Sequence, residues 1–413
     1  MLCLMENSHP LQSKPFLIFW ISQTTSQIAN AIYLLALPLW VFSLTGSSFF
    51  TGVTIFLQTF TMMIFSPLMG VVIDNFNKKT LLIMSDFIRG ALILLLLFVD
   101  SSEKMYIVYI VTFLTGILNT LFNPARIAFV RCLIKKEILP KANSLLMLGL
   151  SISMIIGPII GGGVVSVLTY NDAFIINSAS FFIGALGTIL TNVKLDKDNK
   201  LSPKFSVITG QIKEGFLTIV KNNTLKTINL FQFIVFFGTG ANSVLFILVL
   251  NTNNVNSQSI GYFMAAQGIG MAVTSLLLPL LKPEKNILLF ITISSIIMGV
   301  TISLFILSSI KYFFLGVIFI ICNGLVTAAF NIMVQTATQT FSSKEMLGRI
   351  ASTSQLIMRG AMALSTLIFS AVAEIINPII PVITGGLIII IGSVFLYYNL
   401  RKIEVRKELN ISK

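Results

Sequence analysis

Apolar residues run through this chain in blocks long enough to cross a bilayer's hydrocarbon, about 30 Å or roughly twenty residues of helix, and short clusters of charge, Pro, Asn or Gly separate the blocks. Twelve runs can be drawn, near residues 16–43, 49–73, 80–99, 105–126, 143–168, 173–193, 225–250, 258–281, 286–308, 312–338, 348–372 and 378–400. Stretches such as Ala91 to Val99 are apolar on every face, whereas a membrane barrel needs alternating segments of about ten residues. Only helices, which satisfy their own backbone hydrogen bonds, fit such spans. The pattern predicts an all-α membrane protein with twelve transmembrane helices.

One hydrophilic stretch divides the runs six and six. The expected organisation is a first six-helix bundle over 1–193, a cytoplasmic linker over 194–224, a second bundle over 225–400 and a cytoplasmic tail over 401–413. Within the linker Phe205, Ile208, Ile212, Phe216 and Ile219 recur at helical spacing. Two readings fit: an amphipathic helix lying in the membrane interface, or a soluble helix capping the bundle. The polar first fourteen residues precede a full-length apolar run with no small-residue cleavage site, so a cytoplasmic tail is expected there and not a removable signal.

The two halves resemble each other at an offset of 208 residues. Gly116, Phe122, Asn123, Lys136, Glu137 and Leu139 recur in register as Gly324, Phe330, Asn331, Lys344, Glu345 and Leu347. Apolar matches arise by chance more easily than a polar Asn followed by a Lys-Glu pair. Two pseudo-symmetric bundles account for them.

Composition agrees: 55% hydrophobic, 10% charged and a mean hydropathy of +0.92 exceed what a soluble core needs. The net charge of +13 follows the topology. With the N-terminus inside, 24 of the 28 Lys and Arg fall on the cytoplasmic side, which places the chain in the cell (inner) membrane with both termini cytoplasmic. Basic residues confined to loops form no separate face for nucleic acid. Cys3, Cys132 and Cys322 make neither a disulfide framework nor a metal motif. The single His, His9, rules out His-Glu-x-x-His chemistry, and neither a paired-Asp motif nor a P-loop is present. An enzyme is therefore not expected, nor is a bound metal or cofactor.

Three strings carry a family resemblance. Gly70 to Lys79, with Asp74, Lys78 and Lys79, is similar to the G-x-x-x-D-R-x-G-R-K signature of the major facilitator superfamily, with Asn75 and Asn77 in place of its Arg and Gly. Gly157, Pro158, Gly161 and Gly162 match the G-P-x-x-G-G of its drug:proton antiporters. Phe122 to Arg126, then Glu137, Ala142, Asn143 and, in the second half, Leu347, Gly348 and Arg349 resemble the macrolide-efflux branch. The resemblance covers essentially the whole chain. It implies the major facilitator fold, alternating access, a small amphiphilic substrate, exchange for protons and a monomer.

These residues also have a direct physical reading. Ser153, Gly157 and Gly161 repeat every four residues and leave one face of the fifth span without bulk. Pro158 permits a bend, and a close, bent seam between the halves is the expectation. Asp74 is expected to help close the cytoplasmic side, facing a helix N-terminus or Arg126. Lys78 and Lys79 also serve as topology determinants. Asp86 and Arg89, three apart, are expected to pair.

In the facilitator fold the first, fourth, seventh and tenth spans line a central cavity, and amides segregate accordingly. The expected cavity residues are Gln23, Gln27, Asn30, Asn119, Asn123, Asn229, Gln232, Phe236, Asn323, Thr327, Asn331 and Gln335, while the third, sixth, ninth and twelfth spans hold essentially Asn177 alone. A buried amide in lipid is costly unless satisfied, so the first set implies water or ligand beside it. Arg359 falls near the middle of the eleventh span and joins this list. Two roles fit it: meeting an anionic substrate group, or pairing with a distant acid or helix end. No Asp or Glu lies at depth in the expected cavity spans; Asp86 and Glu374 are the remaining acids near the membrane, and three readings stay open: coupling through Asp86, coupling to another ion, or a facilitator without coupling. The overall expectation is an exporter of an amphiphile such as a macrolide; the alternative is an exporter or flippase of another amphiphile, a siderophore or lysolipid.

Overall fold

A computed structural model describes residues 10–134, 138–191, 205–240, 242–253, 255–278, 287–343 and 346–411. The apolar runs fold as helices α1 (Lys14–Thr45), α2 (Ser48–Asn75), α3 (Lys78–Leu94, prolonged by a 3-10 turn to Phe98), α4 (Met105–Leu133), α5 (Leu139–Val167) and α6 (Tyr170–Leu190). The linker supplies α7 (Phe205–Lys221). The second half follows as α8 (Asn223–Gly240), α9 (Asn242–Thr252), α10 (Ser257–Leu277), α11 (Ile287–Ser309), α12 (Phe313–Phe341), α13 (Leu347–Ile375) and α14 (Ile379–Ile411). Taking α8 and α9 as one span, twelve of these segments are long and apolar enough to cross a membrane. The chain is an all-α, multi-pass membrane protein.

Two boundaries depart from expectation. The seventh run is described as two helices on either side of residue 241. The twelfth continues as helix to Ile411, because the tail after Tyr398 is rich in Lys, Arg, Glu and Leu and holds no Pro or Gly. The internal repeat, by contrast, is sharper than the sequence suggested. Met105–Leu133 and Leu139–Val167 recur as Phe313–Phe341 and Leu347–Ile375, every bound displaced by 208. The Lys-Glu pairs of that repeat lie outside the described residues.

By contacts the chain forms two units, one of 1–46, 64–205 and 256–265, the other of 47–63, 206–255 and 266–413. The expected halves cut the chain once, but these units trade the first part of α2 for the first part of α10. In unit 1, α1 packs on α5 and α6, and α3 on α4 and α6. Phe19 meets Phe129 edge-on at 5.2 Å, and Trp40 meets Phe174 at 4.9 Å. In unit 2, α11 packs on α12 and α14, and α8 on α13 and α14, around Phe231, Phe330 and Met333. Large apolar side chains such as Phe87, Leu186, Leu307, Ile391 and Phe395 are exposed. So broad an apolar surface is stable only in lipid.

The linker helix docks on the base of α13. Gly215 lets the two backbones approach, so that a Cβ there would lie 2.9 Å from the Arg349 carbonyl carbon. The Thr353 hydroxyl donates to Ile212 O at 3.4 Å, Arg349 pairs with Glu214, and Ile219 is buried. Phe216, Leu217 and Val220 stay exposed on the other side. Both readings of this segment thus hold in part: one face caps the bundle, and the other offers apolar surface.

Candidate functional site

In unit 1 the predicted residues converge on Asp86. This carboxylate is fully buried and pairs with Arg89 on the same helix. Gln23 of α1 donates to it at 3.1 Å, and Arg89 donates to Asn119 of α4 at 2.7 Å and to Ser85 O at 3.2 Å. The guanidinium lies between two rings, 4.2 Å from Phe122 and 4.3 Å from Phe181, whose faces favour a cation. Gln23 also reaches Gly184 O and the Thr188 hydroxyl of α6, both at 3.4 Å. Charge compensation and full hydrogen bonding make burial in hydrocarbon tolerable. The network joins α1, α3, α4 and α6, so Gln23 and Asn119 bond within the unit instead of lining open space as expected.

Other amides of unit 1 divide. Asn123 of α4 is exposed, Asn30 is half-buried, and Gln27 is half-buried with an unpartnered Oε1. An exposed amide on a spanning helix needs water or ligand, since lipid offers neither donor nor acceptor. Asn177 is fully buried and neither of its amide atoms has a partner. Arg126 is buried with its Nε unpartnered. The side chain of Asp74 lies outside the described residues, so its expected contact with Arg126 does too.

The signature turn is held by other means. Asn77, where the family signature has Gly, caps α3 by accepting from the Lys79 and Thr80 amides at 3.0 and 3.2 Å. Lys79 donates to the Ile189 and Thr191 carbonyls at 3.0 and 2.6 Å, closing the C-terminal end of α6. Lys78 is half-buried beside it. An Asn directly before an apolar helix is the sequence signal for such a cap.

The bare face of α5 corrects an expectation. Gly157 and Gly161 lie against Ala31 and Ile32 of α1, within the same six-helix half, so they do not form a seam between halves. The next face does cross to the second half of the sequence. A Cβ on Gly162 would lie 2.8 Å from Gln258 Cα, and one on Gly261 of α10 would overlap Pro158 O. A helix turns about 100° per residue, which is why neighbouring glycines serve different partners.

In unit 2 the hub is neutral. Asn323 of α12 donates to the Thr301 hydroxyl at 3.0 Å and to Met298 O at 3.2 Å, and accepts from Gln267 of α10 at 3.0 Å. Gln267 and Thr301 were missed because they lie on the eighth and ninth spans, outside the expected cavity set. Beyond the hub, Thr327 and Asn331 are half-buried and Gln335 is exposed, leaving a partly open polar strip on α12. On α8, Asn229 and Gln232 are buried, each with an unpartnered amide oxygen, and Phe236 meets Phe330 edge-on at 6.4 Å. Arg359 of α13 is half-buried and its Nε has no partner. Glu374, at the other end of α13, accepts from the Phe49 amide at 3.1 Å. Among the described residues no cluster could hold a metal.

Apolar helices in two repeated sets, with amides confined to particular faces, define a polytopic membrane transporter. The chain belongs to the Major Facilitator Superfamily, whose sequence profile matches residues 19–366. The uncharacterized MFS-type transporter YfiS of Bacillus subtilis (strain 168) is 25% identical over 370 residues, 85% of this chain and 86% of that protein. Macrolide efflux protein A of Streptococcus pyogenes is 26% identical over 367 residues, 87% of this chain and 89% of that protein. The crystal structure of the nucleoside transporter NupG superposes with a TM-score of 0.73 at 15% identity, over 94% of this chain and 98% of that one, which speaks for the fold alone.

Proposed function

We propose that this transporter exports an amphiphilic small molecule, an antimicrobial such as a macrolide, by alternating access and in exchange for protons. The similarity to macrolide efflux protein A along nearly the full length of both chains carries this reading. The polar strips support it. Asn123 and Gln335 need a wet surface on α4 and α12, and the aromatic and Met residues near such strips suit an apolar substrate body. The protein works as a monomer in the cell membrane, both termini cytoplasmic. Asp86 is the acid at membrane depth and Arg89 occupies it, so a proton carried there must open that pair.

The test is growth of a drug-hypersensitive bacterium expressing the chain, on macrolides, other drugs and lysolipids, with and without a protonophore. Raised tolerance that the protonophore abolishes is the expected result. Unchanged tolerance to every compound would remove the efflux reading, and tolerance indifferent to the protonophore would remove proton exchange.

A further inference from the structure

Arg359 lies twelve residues after the start of α13 and sixteen before its end, about 18 Å and about 24 Å along the helix, hence deep in the span. A cation at that depth needs compensation, and among the described residues of its own unit no acid pairs with it. Acids in the sequence of unit 2 fall at span ends, in the linker or in the tail. Glu214 is taken by Arg349 at the base of α13, and Glu374 is fifteen residues away on the same helix, at the N-terminus of α2. Fifteen helical residues span about 22 Å, far beyond a side chain's reach.

The surroundings are built for an amphiphile. Ser352 and Gln355, seven and four residues before Arg359, share its face and are both exposed, so a polar strip leads along the helix to the guanidinium. The Ser352 hydroxyl bonds back to Gly348 O and Arg349 O at 2.9 and 3.0 Å, but lipid cannot satisfy the exposed Gln355 amide or the guanidinium beyond it. The first part of α2 runs beside α13: Gly52 sits against Ser370, and a Cβ on Gly360 would lie 3.3 Å from Met63 Sδ. Phe56 and Phe60, stacked at 5.1 Å, continue the same stripe of α2 between Gly52 and Met63. Polar strip and aromatic stripe thus meet at the level of Arg359.

We propose that Arg359 is the anion-recognising residue of this carrier, taking the carboxylate or phosphate of an amphiphile whose apolar body lies along Phe56, Phe60 and Met63. The inference rests on the exporter reading but departs from its macrolide example, which is basic: it restricts the cargo to amphiphiles with an acidic head. A guanidinium suits both groups because its fork of donors matches two oxygens at once. The acidic head can belong to a dissolved solute or to a lysolipid.

The test measures binding to purified full-length protein of four probes: fusidate, its methyl ester, lysophosphatidylglycerol and uncharged monolauroylglycerol. Wild type should bind at least one acidic probe about tenfold or more tightly than its uncharged counterpart, the worth of one charged hydrogen bond. Arg359→Gln should lose that preference, and Arg359→Lys should keep part of it. Preference for fusidate places the source in solution; preference for the lysolipid places it in the bilayer. Equal binding of charged and uncharged probes by wild type, no binding of either acidic probe, or an unchanged preference in Arg359→Gln would each overturn the proposal. If Arg359→Gln fails to fold, Arg359→Lys, which keeps the cation without the fork, carries the comparison: an acid preference as strong as that of wild type would overturn the proposal. Erythromycin efflux in cells is scored alongside: its loss with acid preference intact removes the macrolide and spares the anion site.

Discussion

Arg89 and Arg359 are both guanidiniums on spanning helices, and their surroundings are opposites. Arg89 has a carboxylate beside it, an amide and a carbonyl as acceptors and a ring on each face. Arg359 has an unpartnered Nε and, among the described residues of its own unit, no acid within reach. Charge in hydrocarbon is costly in both places. Where the fold meets that cost from within, the charge fastens helices together. Where the described residues of the unit do not, we assign the compensation to a substrate that enters from outside.

The contrast is broken hardest at Arg89. Arg89→Gln leaves Asp86 buried and uncompensated, and a loss of about 3–5 kcal/mol is expected, seen as a lower unfolding temperature and poor recovery of monodisperse protein. Adding Asp86→Asn should restore much of it, because the charge imbalance and not the missing side chain is the fault. A double variant as unstable as Arg89→Gln alone would show that the pair is incidental. The neutral hub of unit 2 sharpens the comparison. Asn323→Ala removes the partner of Gln267 while the Thr301 hydroxyl keeps its bond to Ile297 O, and about 1 kcal/mol is expected, the usual scale of such bonds between membrane helices. An effect as large as that of Arg89→Gln would mean that charge is not what distinguishes the two hubs. Smallest is Glu214→Gln: this exposed pair is worth about 0.5 kcal/mol or less, and hydrogen exchange should quicken in α7 while α13 stays protected.

Much of the scaffold was legible because membrane spans are written in composition: length and hydropathy located the helices, and the offset of 208 recurs in the bounds of α4, α5, α12 and α13. The Asp86 and Arg89 pairing also followed from spacing. What spacing could not supply was the partner across helices. Gln23 and Asn323 sit among the expected cavity amides yet bond inward, because a lone amide obeys whichever neighbour packing brings within 3 Å or so. Gly157 and Gly162 belong to one motif and face different helices, a distinction that depends on rotation about α5. Gln267 is a single polar residue in an apolar run, and only its contact with Asn323 gives it meaning.

The most direct measurement is the thermal unfolding of Arg89→Gln and Arg359→Gln, purified side by side without added ligand. Arg89→Gln should unfold well below wild type, and Arg359→Gln should match wild type or exceed it, since removing an uncompensated cation relieves the fold of a burden. Equal destabilisation by both substitutions would contradict the division between a fastening charge and a recognising one.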